Sequence, residues 1–97
     1  MIVRIVHMHF APENTEAFLA LFAAHKAAIA AQPGCHSLQL VRGLNHRECI
    51  STISQWDSQT HLDAYRHSAL FGEVWPATKA LFSAPPQAES HELLWAS

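Results

Sequence analysis

The chain has little charge: 6 Lys and Arg against 8 Asp and Glu in 97 residues, for a net charge of −2. The basic residues (Arg4, Lys26, Arg42, Arg47, Arg66 and Lys79) are too scattered to form a stripe along a phosphate backbone or anionic lipid. Nucleic acid and membrane are therefore not expected partners. No apolar run reaches the ~18 residues that a membrane span requires. Met1 to Phe10 is broken by Arg4, His7 and His9, unlike the apolar heart of a signal peptide, so the expected location is the cytoplasm. Glycine is scarce, with only Gly34, Gly43 and Gly72, which leaves no phosphate-cradling loop and no nucleotide or flavin fingerprint. Cys35 and Cys49 lack Cys-x-x-Cys spacing, so neither a zinc site nor a redox motif is expected, and both read as free thiols. No spacing of ligands nominates a metal, and no motif nominates a cofactor.

What the sequence does have is apolar surface, 49% hydrophobic against 14% charged. A single domain over residues 1–97 has a modest core to fill, and the surplus implies apolar area facing a partner. Ile2 to Phe10 alternates as a strand, with Ile2, Val6, Met8 and Phe10 on one face and Arg4 as an intruder among them. Val3, Ile5, His7 and His9 share the other face. Asn14 is the expected cap of a helix running to about Ala31, with Phe18, Leu21, Phe22, His25 and Ile29 at helical spacing. Gln32-Pro33-Gly34 stops it. Strands are expected over 36–42 and 48–56, joined by a hairpin at 43–47.

Asp57 or Ser58 should cap a short helix through Tyr65, and Ser68 a second one carrying Leu70, Phe71, Val74, Thr78, Leu81 and Phe82. Pro76 is expected to kink that helix or split it. Residues 83–87 read as a loop and 88–95 as the last strand. The order is βαββαβ, a ferredoxin-like α+β fold with both helices on one face of a four-stranded antiparallel sheet. The uncovered face is expected to hold His7, His9, Gln39, Thr52, Ser54 and Trp56 among Val3, Ile5 and Val41. That mixture suits a homodimer in which two such faces meet.

Four features carry a family resemblance. They are the opening strand leading to Pro12, the turn Pro33-Gly34-Cys35, Trp56-Asp57-Ser58 closing the third strand, and the run from Tyr65 to Phe71 (Tyr65-Arg66-His67-Ser68-Ala69-Leu70-Phe71). On these the chain resembles the antibiotic-biosynthesis-monooxygenase family of dimeric α/β barrels across nearly its whole length. The resemblance implies a homodimer with a ligand cavity between sheet and helices in each half. It also implies an oxygen-dependent reaction on a quinol-like or polycyclic aromatic, without metal or flavin cofactor. Many members have a histidine where this chain has Tyr65. The haem-ligating histidine of haem-degrading relatives would fall near Trp75, so haem is not implied.

Oxygen reacts slowly with closed-shell organics, so a cofactor-free oxygenase needs a substrate that can itself give up an electron once deprotonated. That calls for a base near neutral pH and a dry pocket. Histidine suits the pH, and the chain has 8 of them. His7 is the first candidate base, with His67 and Tyr65 next. Trp56, His9, Phe71, Thr52 and Gln39 are the candidate contacts to substrate. His7 and Trp56 are expected to line one cavity beside Tyr65 or Phe71. The plainer alternative for His7 and His9 is a pair of polar side chains on a solvated face or dimer rim. The competing function is a non-catalytic dimeric barrel that binds a small hydrophobic ligand.

Overall fold

Alternation along the first ten residues does produce a strand, β1 (Ile2–Phe10), in the computed structural model, which describes residues 1–97. A 3-10 turn at Pro12–Asn14 leads into helix α1 (Thr15–Ala30), followed by β2 (Cys35–Arg42) and β3 (Cys49–Trp56). Helices α2 (Gln59–Arg66) and α3 (Ala69–Lys79) precede the last strand, β4 (Phe82–Glu92). The sheet order is β2-β3-β1-β4 with every neighbour antiparallel, the ferredoxin-like α+β arrangement.

Strand parity sorts the two faces. Met8 and Phe10 from β1 and Ile50 from β3 are buried beneath the helices with Phe18 of α1. The Phe10 and Phe18 rings stack at 4.4 Å between centroids, and each such buried side chain contributes roughly 1.5–3 kcal/mol. The opposite face carries Val3, Ile5, His7 and His9, paired across to Gln55, Ile53, Ser51 and Cys49. Nothing within the chain covers that face.

Thr52, Ser54 and Trp56 do not belong to the open face. Thr52 pairs with Val6 and Leu40, and Ser54 with Arg4 and Leu38, which places all three on the helix side with Ile50. Their small hydroxyls read as outward-facing in the sequence, but Ser54 is buried and accepts a hydrogen bond from Trp56 Nε1 at 2.9 Å. That bond satisfies the indole donor of a tryptophan that is only 1% exposed.

The helix signals were mostly local and correct. Ser58 and Ser68 cap α2 and α3, accepting from the backbone N–H of His61 and Phe71. Asn14 behaves differently. Its side chain makes no cap and instead donates to Leu81 O, tying the start of α1 to the α3–β4 connection. Pro76 does not split α3, which runs through it to Lys79 as one element. The proline removes only its own N–H from the helical ladder, and just Ala77, Thr78 and Lys79 follow it before the helix ends.

β4 starts six residues earlier than expected, at Phe82 rather than Ala88. Pro85 and Pro86, which read as loop, sit where the β1–β4 register shifts between His7 and His9. β4 is an edge strand, so a missing N–H is tolerated there, and a bulge accommodates the prolines. Beyond the strand, Leu94 and Trp95 are exposed rather than paired. No helix is long and apolar enough to cross a membrane.

Candidate functional site

Between the helix side of the sheet and the three helices the packing is incomplete. A cleft open to solvent on one side remains there. Its floor is Arg4, Val6 and Met8 of β1, Leu38 of β2, and Thr52, Ser54 and Trp56 of β3. Phe18, Phe22 and Ile29 of α1 close one side, with Leu62, Tyr65 and Arg66 of α2 and Phe71, Val74, Trp75 and Thr78 of α3 closing the other.

Aromatic rings form a continuous wall. Trp56 and Tyr65 stack at 5.1 Å with 19° between their planes. Tyr65 meets the edge of Phe71 at 5.3 Å, and Phe71 stacks on Trp75 at 5.7 Å. Flat apolar faces at this spacing suit a planar ring system.

A single glycine sets the angle at which α2 enters this wall. Gly34, at φ +83°, turns the chain from α1 into β2, and its carbonyl accepts the backbone N–H of Asp57 at 2.8 Å. The His61 side chain of α2 packs directly against the bare Gly34 Cα, and a Cβ there would lie 2.4 Å from His61 Cγ. His61 Nδ1 shares a hydrogen bond with the capping hydroxyl of Ser58 at 2.8 Å. The turn, the cap and Trp56 thus form one unit that fixes Tyr65 over the cleft.

The polar groups in the cleft are few. Burial, with a smaller effect from Cys35, pushes the Tyr65 phenol up to about 12, so at neutral pH it is protonated and can donate. Burial also raises the Cys35 thiol, against a smaller opposing effect from the Ser37 backbone, so it is a poor nucleophile. Arg4 lies half-buried on the floor, its Nη1 donating to Ser90 Oγ at 3.2 Å. Burial and the neighbouring charge of Arg66 lower the Arg4 guanidinium from its ordinary value, with Asp63 acting in the opposite direction.

Of the candidates named from sequence, Trp56, Tyr65, Phe71 and Thr52 come together in this cleft. His7, His9, His67 and Gln39 do not. His7 is exposed on the open sheet face, hydrogen-bonded through Nδ1 to Ser51 Oγ at 2.9 Å. The expectation that His7 and Trp56 line one cavity is therefore corrected: residues of opposite parity on paired strands lie on opposite faces of the sheet. His9 also lies on the open face, bonded to Cys49 Sγ at 3.1 Å, and Gln39 is exposed there. His67 is exposed at the end of α2, where its Nδ1 donates to Asp63 O at 2.7 Å. No histidine lines the cleft.

Sequence reasoning missed Arg4, Arg66, Ser54, Trp75 and Thr78 as cleft residues. Arg4 had left a signal, as the one charged side chain on the apolar face of β1. No three His, Cys, Asp or Glu side chains converge in a way that could hold a metal ion.

The sequence matches the family model described as antibiotic biosynthesis monooxygenase over residues 1–75. No curated protein matches it. Among solved structures, one titled an antibiotic biosynthesis monooxygenase superposes with a TM-score of 0.90 at 17% identity, covering 97% of this chain and 99% of that one. A protein from Mycobacterium tuberculosis gives 0.90 at 20% identity, covering 99% and 97%. A conserved protein from Methanosarcina mazei Go1 gives 0.88 at 18% identity, covering 94% and 91%. Identities this low show a common fold. The family match, extending over most of the chain, shows more: this protein belongs to the antibiotic biosynthesis monooxygenase family.

Proposed function

We propose that the chain is a cofactor-independent monooxygenase, acting as a homodimer on a planar, electron-rich aromatic held in the cleft between sheet and helices. The observation that carries this reading is the aromatic wall of Trp56, Tyr65, Phe71 and Trp75 over a floor where Val6, Met8 and Leu38 surround the polar Arg4, Thr52 and Ser54. The open sheet face, with Val3, Ile5, Val41 and Ile53 among its residues, supports the dimer that the family resemblance implies. Two free thiols fit a reducing cytoplasm.

The reaction is one in which the substrate supplies every electron. A ring methylene beside a phenol gives up a proton to solvent at the open mouth of the cleft, to be regained by the peroxide formed later, and the delocalised carbanion that remains transfers an electron to O2. Radical recombination forms a C–O bond, and loss of water leaves a carbonyl. One oxygen atom ends on carbon, and the other leaves as water with both methylene hydrogens. The cleft serves this chemistry by holding the ring system against the half-buried Tyr65, Phe71 and Trp75, with Trp56 buried behind Tyr65, by excluding water with its apolar walls, and by offering the protonated Tyr65 hydroxyl to a developing oxyanion.

The test is oxygen uptake by the purified protein against a panel of anthrones and hydroquinones, with and without chelator. Uptake above the buffer rate, insensitive to chelator and reduced by Trp56→Ala, is expected. The second reading is a ligand-binding barrel without catalysis, and one observation favours it: no histidine or carboxylate lines the cleft to take the substrate proton. Tight binding of panel members with no uptake for any of them would establish that reading and overturn the first.

A further inference from the structure

Arg4 occupies a position where strand parity asks for an apolar residue. Val6, Met8 and Phe10 follow it on the same face, under the helices. Its neighbours across the sheet are serines, Ser54 on β3 and Ser90 on β4, which leave space above the strand for a guanidinium. Arg66 closes α2 and reaches the same cleft from the other side. These are the only charged residues lining it.

Neither guanidinium is neutralised by a close partner. The ion pairs of the chain are His25–Glu73, His36–Asp57 and His91–Glu89, and neither arginine takes part in one. The acid whose charge acts on Arg4 is Asp63, one turn before Arg66 on α2, whose carboxylate accepts from Gln59 Nε2 at 2.9 Å. One carboxylate outside the cleft lining faces two cations on it, so the pocket carries a net positive charge. Holding like charges together at an apolar surface is costly unless an anion joins them. Burial first, and the charge of Arg66 second, lower the affinity of Arg4 for its proton.

We propose that Arg4 and Arg66 form an anion subsite, so that the ligand of the cleft is an aromatic ring system bearing a carboxylate. The ring lies against Tyr65 and Phe71, and the carboxylate takes the planar donor fork of Arg4, with Arg66 closing over it from the rim. This deepens the proposed function by naming its substrate class, and it rests on the cleft being the ligand site rather than on turnover. An anchored carboxylate also fixes which ring position faces the Tyr65 hydroxyl.

The test is calorimetric titration of the full chain with 2-naphthoate and with the neutral isostere 2-naphthalenemethanol at pH 7. The carboxylate is expected to bind about 10-fold or more tightly than the alcohol. Arg4→Met should abolish that preference, read as the ratio of the two affinities within the variant, so that any change the new apolar side chain makes to both ligands cancels. Arg66→Gln, at an exposed helix end where folding is not at risk, should reduce the preference several-fold. Equal binding of the two ligands, or a carboxylate preference that survives both substitutions, overturns the subsite, as does failure of both ligands to bind. Oxygen uptake reports separately. A carboxylate preference without turnover sinks only the monooxygenase reading, whereas turnover of neutral anthrones without any preference sinks only the subsite.

Discussion

Replacing Gly34 by alanine tests the unit that aims α2 at the cleft. Two costs add. An alanine at φ +83° loses roughly 1–2 kcal/mol to the contact between its Cβ and the backbone. The same Cβ would stand 2.4 Å from His61 Cγ and 2.6 Å from His61 Cβ, and overpacking of this kind costs about 1–3 kcal/mol. His61 has little room to yield, because its ring nitrogen is held by Ser58 and the contact is near its backbone rather than at a flexible tip. A total near 3 kcal/mol should lower Tm by about 15 °C in a domain of this size. Thermal unfolding followed by circular dichroism reads this directly. A double-mutant cycle with His61→Gly, which removes the clashing Cβ together with the ring, separates the terms: the clash should appear as a coupling of about 1–2 kcal/mol, leaving the backbone term in place. If Gly34→Ala stays within about 0.5 kcal/mol of the parent, the account of this turn is wrong.

Three further outcomes follow from the cleft geometry. Tyr65 is the only tyrosine, so its ionisation is read cleanly by ultraviolet absorbance and should show a midpoint near 12 rather than at the ordinary phenol value of 10.0. Because the folded pKa is raised, stability should hold up to about pH 10 and then fall as pH rises toward 12, where the unfolded phenol ionises first; a midpoint at 10 would contradict the burial. Trp56→Phe removes the hydrogen bond to buried Ser54 and part of the stacking area, so denaturant unfolding should show a loss of about 2 kcal/mol, with weaker binding of 2-naphthoate. His7→Ala should leave 2-naphthoate affinity within about 2-fold, as His7 lies across the sheet from the cleft; a loss of tenfold or more would mean that His7 reaches the ligand.

Much of this fold was legible because its signals are local. The alternation in β1 sorted Met8 and Phe10 from His7 and His9, and Ser58 and Ser68 announced their helices as caps. What failed depended on register or tertiary context. Thr52 and Ser54 look like surface residues in isolation, and only their pairing with Val6 and Arg4 turns them inward. Pro85 and Pro86 look like loop because the edge position of β4, which tolerates them, is a property of the whole sheet. The site was half legible. The aromatic residues Trp56, Tyr65 and Phe71 were found through motif and helical spacing. His7 was placed on the correct strand face, but the cleft lies on the other one, beneath the helices. Arg4 was visible as an intruder, yet its meaning depended on Arg66, which α2 brings to the same cleft from 62 positions further along the sequence.

The central claim is that the cleft oxygenates an aromatic with no help beyond its own residues. The most direct measurement is simultaneous counting of oxygen consumed, hydrogen peroxide released and product formed, using a carboxylated anthrone with chelator present. The account predicts one O2 per product, no peroxide, and a product that has gained one oxygen and lost two hydrogens, with the rate falling in Trp56→Ala. Uptake accompanied by stoichiometric peroxide, or no uptake by a protein that binds the anthrone, would contradict it.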